Sequence, residues 1–363
     1  MYHYRMIDFC RSIAAIVVAI LHWQIFMTEL DWGNYASGDS IQAPMPVLLG
    51  PIYEYGYFAV QYFWMISGFI FASVYGASKI GFYEFGIRRL ARLYPLALLT
   101  LLIVAVLQGV VALLLGHTIF YPVNDAYHFL LNFFLASSWG FEEARSFNGP
   151  IWSVSAEIPV YAFFWCCIRS LPMNAFTCFV LAVVFFKLQG VMPFNHINSC
   201  GMHFFLGAGV FYLTRQLEPL PLALLSVLTW VVGLAAMIVV PEIQSVISLV
   251  LFLAFGPLIA FLCAVDQTLT KEHGLLDRMA GFGDLSYAIY LLHFPILLAL
   301  TVIMICFGID REILSDSLTA MLLYLVVTIW VSHQSFVKIE SPARRWLCQV
   351  LAPTQIGRRA RPS

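Results

Sequence analysis

Charge is what this chain has least of. Only 11% of its residues are charged, where an ordinary soluble domain carries about a quarter, and 61% are hydrophobic at a mean hydropathy of +0.85. That balance excludes a water-soluble fold and makes lipid the expected solvent. Net charge is −1, so the total points to no polyanion, and only the placement of charge along the chain is informative. The eight cysteines form no C-x-x-C pair and the histidines no paired cluster; buried thiols are expected, with no disulfide and no metal. There is no internal repeat, no low-complexity tract and no soluble domain. The first apolar run, Ser12 to Leu21, is followed by no small-x-small cleavage site, so it reads as a first transmembrane helix.

What is present is a series of long apolar runs, each able to cross a hydrocarbon core of about 30 Å as a helix. Ten spans are expected, near 11–30, 53–76, 92–116, 151–169, 173–192, 200–214, 221–240, 244–265, 284–307 and 315–337. The chain thus reads as an all-α, polytopic membrane protein, with a membrane domain over 1–340 and a short basic tail over 341–363. The run 126–139 is short and holds His128 and Asn132, which fits a span, a re-entrant hairpin or an interfacial helix. If it does not cross and the amino terminus is cytoplasmic, sixteen of nineteen basic residues fall inside; only Arg145, Lys187 and Arg311 fall outside. Counting it as a span inverts every later loop and destroys the asymmetry that the positive-inside rule favours. Both termini are therefore expected in the cytoplasm. The outer loops are acidic or neutral, with Glu29, Asp31, Asp39, Glu54, Glu142, Glu143 and Asp310, and nucleic acid is not an expected partner.

Ionisable side chains at membrane depth cost roughly 2.5–3.5 kcal/mol on insertion scales, so each needs a role or a partner. Arg11 and His22 lie eleven positions apart, three helical turns on one face with about 16 Å of rise. A guanidinium at the mouth grips phosphate, and an imidazole at mid-bilayer takes a proton from a hydroxyl. A boundary arginine and an interhelical hydrogen bond account for the same pair. Arg88, Arg89 and Arg92 precede Tyr94-Pro95, with Arg89 and Arg92 on one face, suited either to a pyrophosphate or to snorkelling toward headgroups. Glu157 follows Trp152-Ser153-Val154-Ser155-Ala156, and Pro159 should leave the Ser155 carbonyl without its helical donor. Ser286, Tyr290 and His293 form a polar stripe at i, i+4, i+7. Asp8 is expected to share the charge of Arg11, and Glu340 that of a cytoplasmic arginine.

In this order the segments resemble the acyltransferase-3 family, membrane enzymes that acylate surface polysaccharides, lipid-linked sugars and some antibiotics. The resemblance runs from Arg5-x-x-Asp8-x-x-Arg11-x10-His22 through Phe63-Trp64-Met65-Ile66-Ser67-Gly68-Phe69, Arg89-x-x-Arg92-x-x-Pro95, Trp152-Ser153-x-Ser155-x-Glu157 and Ser286-Tyr287-x-x-Tyr290-Leu291-x-His293 to Glu340-x-Pro342. It implies a ten-helix domain in the cell membrane and acyl-CoA, acetyl-CoA above all, as a cytoplasmic donor and not a resident cofactor. It also implies essential roles for Arg11, His22, Arg89 and Arg92. The arginines are expected to hold CoA phosphates. His22 is expected to act as base with Glu157 or His293 orienting it, and Ser67, Trp152, Ser155 and Tyr290 are expected against substrate, with Ser67 or Tyr290 donating to the oxyanion. Ile158 and Pro159 stand where relatives carry a second Glu followed by Gln or Phe. Some members continue into an SGNH-hydrolase-like domain, for which the residues after the last helix are too few, so direct acylation of a carbohydrate hydroxyl or hand-off to a separate periplasmic protein is expected. A transporter or flippase of a small metabolite or lipid-linked sugar is the alternative from another class, because mid-membrane ionisable residues also line transport paths. Its ordinary signature, an internal repeat, is missing.

Overall fold

The computed structural model describes residues 4–24, 43–190, 194–239, 247–268, 281–310 and 312–352. Expectations that fall on 25–30, on Glu29, Asp31 and Asp39, on Lys271, Arg278 and Arg311, and on Arg358, Arg359 and Arg361 lie outside the described residues. Every regular element among the described residues is helical, and those of eight residues or more are α1 Arg5–Trp23, α2 Pro46–Tyr55, α3 Ala59–Tyr75, α4 Phe82–Leu115, α5 Ala126–Phe133, α6 Ile151–Ser170, α7 Ala175–Lys187, α8 Asn195–Thr214, α9 Pro219–Val239, α10 Ile247–Thr268, α11 Ser286–Phe307, α12 Leu318–Ser335 and α13 Ser341–Leu351.

Six stretches among the described residues are long and apolar enough to cross a membrane: Arg5–Trp23, Pro46–Tyr75, Phe82–Leu115, Ile151–Ser170, Ser286–Phe307 and Leu318–Leu351. Of the other four expected spans, α7 has 13 residues and so extends only about 20 Å. Two boundaries also move. The span expected at 53–76 is two helices joined by the 3-10 turn Gly56–Phe58, and the span expected at 92–116 begins ten residues earlier, where Gly81 in an extended conformation starts α4. The run 126–139 forms only the eight-residue α5, capped by Asp125 accepting from the His128 amide at 2.8 Å. About 12 Å of helix does not cross a bilayer.

α1 is central, touching α2, α3, α10, α11 and α12. Its small faces permit this, since Ala14, Ala15, Val18 and Ala19 are buried, while Ser12 donates to the Phe282 carbonyl at 2.6 Å and Trp23 to the Ser315 carbonyl at 3.0 Å. α3 and α8 approach most closely. A Cβ on Gly68 would stand 1.7 Å from the Phe204 carbonyl oxygen, and one on Gly207 1.8 Å from that of Met65. Without a strong hydrophobic drive between helices in lipid, close backbone approach through glycine is how van der Waals packing is gained. Around that contact Phe71, Phe85, Phe164, Phe204 and Phe205 pack edge-to-face, with Tyr161 stacked on Phe71.

Candidate functional site

Two cavities lie back to back around α1. The smaller, about 290 Å³, is lined by Arg11 together with Arg89 and Arg92 of α4, Glu157 of α6 and Ser67 of α3. Arg11 Nη1 pairs with Asp8 Oδ1 at 3.2 Å. Arg89 is held rigidly: it donates to the Tyr75 hydroxyl at 2.8 Å, its guanidinium lies 4.8 Å from the Phe71 ring centre, and its buried Nε has no partner among the described residues. Arg92 makes no ion pair or hydrogen bond among the described residues. Arg88, its neighbour in sequence, is instead spent on Glu84 at 2.6 Å and lines neither cavity. Fixed guanidiniums around one concavity bind an oxyanion bidentately, as phosphate requires. Glu157 sits among them and accepts from Tyr161 Oη.

The larger cavity, about 770 Å³, is lined by His22, Trp152, Tyr57, Gln61, Glu54 and Arg145, with Tyr121 and Gly149 in its wall. His22 Nδ1 lies 2.8 Å from the Val18 carbonyl. A carbonyl only accepts, so Nδ1 carries the proton and Nε2 is the basic nitrogen. The Arg145 guanidinium lies 5.1 Å over Trp152, whose indole also meets His196 at 4.9 Å and Trp64 at 5.6 Å. An aromatic face with amide, carboxylate and guanidinium groups around it suits a polyhydroxylated ligand. A Cβ on Gly149 would fall 1.8 Å from the Tyr121 hydroxyl, so a larger residue there would push the Tyr121 ring aside.

Tyr290 lines both cavities. Its hydroxyl lies 2.7 Å from Ser153 Oγ and donates to the Pro150 carbonyl at 3.1 Å, with Phe63 edge-on at 5.5 Å. Arg11 and His22 thus line two different cavities, which meet at Tyr290 between residues from α3, α6 and α11. The expected partners of His22 are also sorted. Glu157 belongs to the arginine cavity and does not line that of His22. His293 does stand beside His22, ring centres 4.7 Å apart, but it is fully buried and lines neither cavity. Its Nδ1 lies 3.2 Å from the Ile289 carbonyl, and its Nε2 has no partner among the described residues. His293 thus packs against the His22 ring outside both cavities.

Ser155 departs furthest from its expected place. The carbonyl that Pro159 deprives of a helical donor is satisfied by the Trp139 indole at 2.9 Å, and Ser155 Oγ accepts from the Ser138 amide at 3.0 Å. Ser155 lines neither cavity; it anchors the segment 136–139 to α6. Glu340 makes no ion pair among the described residues: it is buried, and neither carboxylate oxygen has a partner there. The groups missed from sequence are Arg145, Tyr121 and Gln61 in the larger cavity and Tyr161, Asp284 and Arg344 in the smaller. Only Tyr161 had a signal, its i+4 spacing from Glu157.

No curated protein and no solved structure matches the chain. The family model described as an acyltransferase domain matches residues 4–333, which include both cavities except Arg344, and the chain accordingly belongs to the acyltransferase-3 family and is a membrane acyltransferase.

Proposed function

We propose that this enzyme moves an acyl group, acetyl above all, from cytoplasmic acyl-CoA to a hydroxyl of a carbohydrate acceptor at the outer surface of the cell membrane. The observation that carries the reading is the arrangement along α1: Arg11 in a cavity of guanidiniums, and His22 three turns on in a cavity with an aromatic and polar lining. CoA suits that arrangement, since its phosphates lie at one end and its thioester at the tip of a long arm. Arg11, Arg89 and Arg92 hold the phosphates, and the asymmetry of basic residues supports placing that end in the cytoplasm. The acceptor rests against Trp152 in the larger cavity. His22 Nε2 takes the proton from the acceptor hydroxyl, the oxygen attacks the thioester carbonyl, and collapse of the tetrahedral intermediate breaks the C–S bond. The imidazolium then returns the proton to the CoA thiolate. Tyr290, which lines both cavities, is the partition the arm must pass, and its hydroxyl, once released from the Pro150 carbonyl, donates to the oxyanion.

Purified protein in nanodiscs, given acetyl-CoA labelled in the acetyl group and membrane glycans as acceptor, tests this. Label is expected to move to the glycan or be released as acetate, and Arg89→Ala should raise the KM for acetyl-CoA by about ten- to a hundredfold, the range for a charged hydrogen bond. No transfer and no release of label contradicts the reading.

A further inference from the structure

Beyond α12 the helix passes through a π-helical segment, Phe336–Glu340, into α13. The two longest apolar stretches among the described residues, Phe82–Leu115 and Leu318–Leu351, each have 34 residues, about 51 Å of helix against a hydrocarbon core of about 30 Å. Both carry their surplus at the same end. α13 packs on α4, and Arg344 of α13 lines the smaller cavity beside Arg11, Arg89 and Arg92. A π segment shifts the angular register of the helix on its C-terminal side and recurs at functional sites; here that helix carries Arg344. Buried Glu340, with two oxygens unpartnered among the described residues, lies within electrostatic reach of Arg92 and Arg344. Arg344 itself makes no hydrogen bond or ion pair among the described residues, and Asp284 is the other carboxylate facing it.

Arg11, Arg89 and Arg92 are half-buried, whereas Arg344 is exposed at the rim. A CoA thioester entering arm first sets its pyrophosphate against the deeper groups and leaves the phosphate on the ribose 3′ oxygen outermost. Resting on the donor assigned above, we propose that Arg344, supplied from beyond the matched family region, is a fourth phosphate-binding residue and takes the 3′-phosphate of CoA. The C-terminal helix is then part of the donor site and not a tail.

The test compares acetyl-CoA with acetyl-dephospho-CoA, which lacks only that phosphate, on the full chain in nanodiscs. Wild type should favour acetyl-CoA in KM by about ten- to a hundredfold, the range for a charge-assisted contact. Arg344→Ala should use both thioesters with the KM that wild type shows for the dephospho form and with kcat retained; Arg344→Lys should recover part of the preference. Arg345→Ala, at an exposed position that lines neither cavity, should behave as wild type. Undiminished discrimination in Arg344→Ala overturns the assignment, as does an equal loss in Arg345→Ala, which would mark a general effect of basic charge at the lipid surface. A wild-type enzyme that transfers well from both thioesters without preference also overturns it while leaving the donor reading intact. Transfer from neither removes the donor reading itself.

Discussion

The contact between α3 and α8 gives a sharp expectation for Gly68→Ala and Gly207→Ala. A methyl at Gly68 would lie 1.7 Å from the Phe204 carbonyl oxygen, where ordinary contact begins at 3.4 Å. The obstruction is backbone and has no rotamer to escape into, so the two helices must part by about 1.7 Å. A gap of that size forfeits much of the dispersion contact made by Trp64, Met65, Phe69, Phe204 and Phe205, all buried. Overpacking costs about 1–3 kcal/mol, and a rigid obstacle puts each substitution in the upper half of that range. Because both act by parting the same helices, the double variant should lose clearly less than the two single losses together. Thermal unfolding in detergent, followed by tryptophan fluorescence, reads this out. Gly109→Ala is the control, since a Cβ there meets nothing within 4 Å and alanine favours helix over glycine by roughly 0.5–1 kcal/mol. Melting of Gly68→Ala at the wild-type temperature, or strict additivity in the double variant, would show that the two glycines do not set the α3–α8 distance.

Tyr290→Phe removes the hydroxyl shared with Ser153 and Pro150 and should cost about 1 kcal/mol of stability; with the partition loosened, the ratio of thioester hydrolysis to acyl transfer should rise, and an unchanged ratio argues against a partition at Tyr290. Asp125, in the segment that does not cross, is held below the ordinary carboxylate range by the His128 amide first and the His128 ring second. A depressed carboxylate stabilises the folded form at pH above its unfolded value and loses that contribution as pH falls through its folded value. Protection of the His128 and Phe129 amides, taken relative to their intrinsic exchange rates at each pH, should therefore fall in acid in wild type and show no such step in Asp125→Asn.

Helical period alone made the Arg11–His22 relationship legible, because spacing along one helix fixes both face and depth. The Arg89–Arg92 pair was legible for the same reason. Partition of the site into two cavities was not, since it depends on Tyr290, Ser153 and Phe63 meeting from three helices distant in sequence. The sequence marks Glu157 as an acid within a span two residues before Pro159, yet which cavity it faces depends on tertiary packing, and the freed carbonyl of Ser155 goes to an indole 16 residues upstream. α4 was read ten residues short because its arginines look like a membrane edge, whereas the helix runs past that edge and packs against α13. Arg145 and Arg344 were visible only as charges on one side or other of a loop asymmetry; nothing local marks a surface arginine as facing a cavity.

Donor binding and proton transfer fall to different cavities, and His22→Ala distinguishes the two. With labelled acetyl-CoA in nanodiscs, the variant should bind donor within a fewfold of wild type, because His22 lines the other cavity, while transfer to acceptor falls by at least about 10²-fold, the contribution of a general base. Transfer at the wild-type rate, or loss of donor binding in a folded variant, would contradict it.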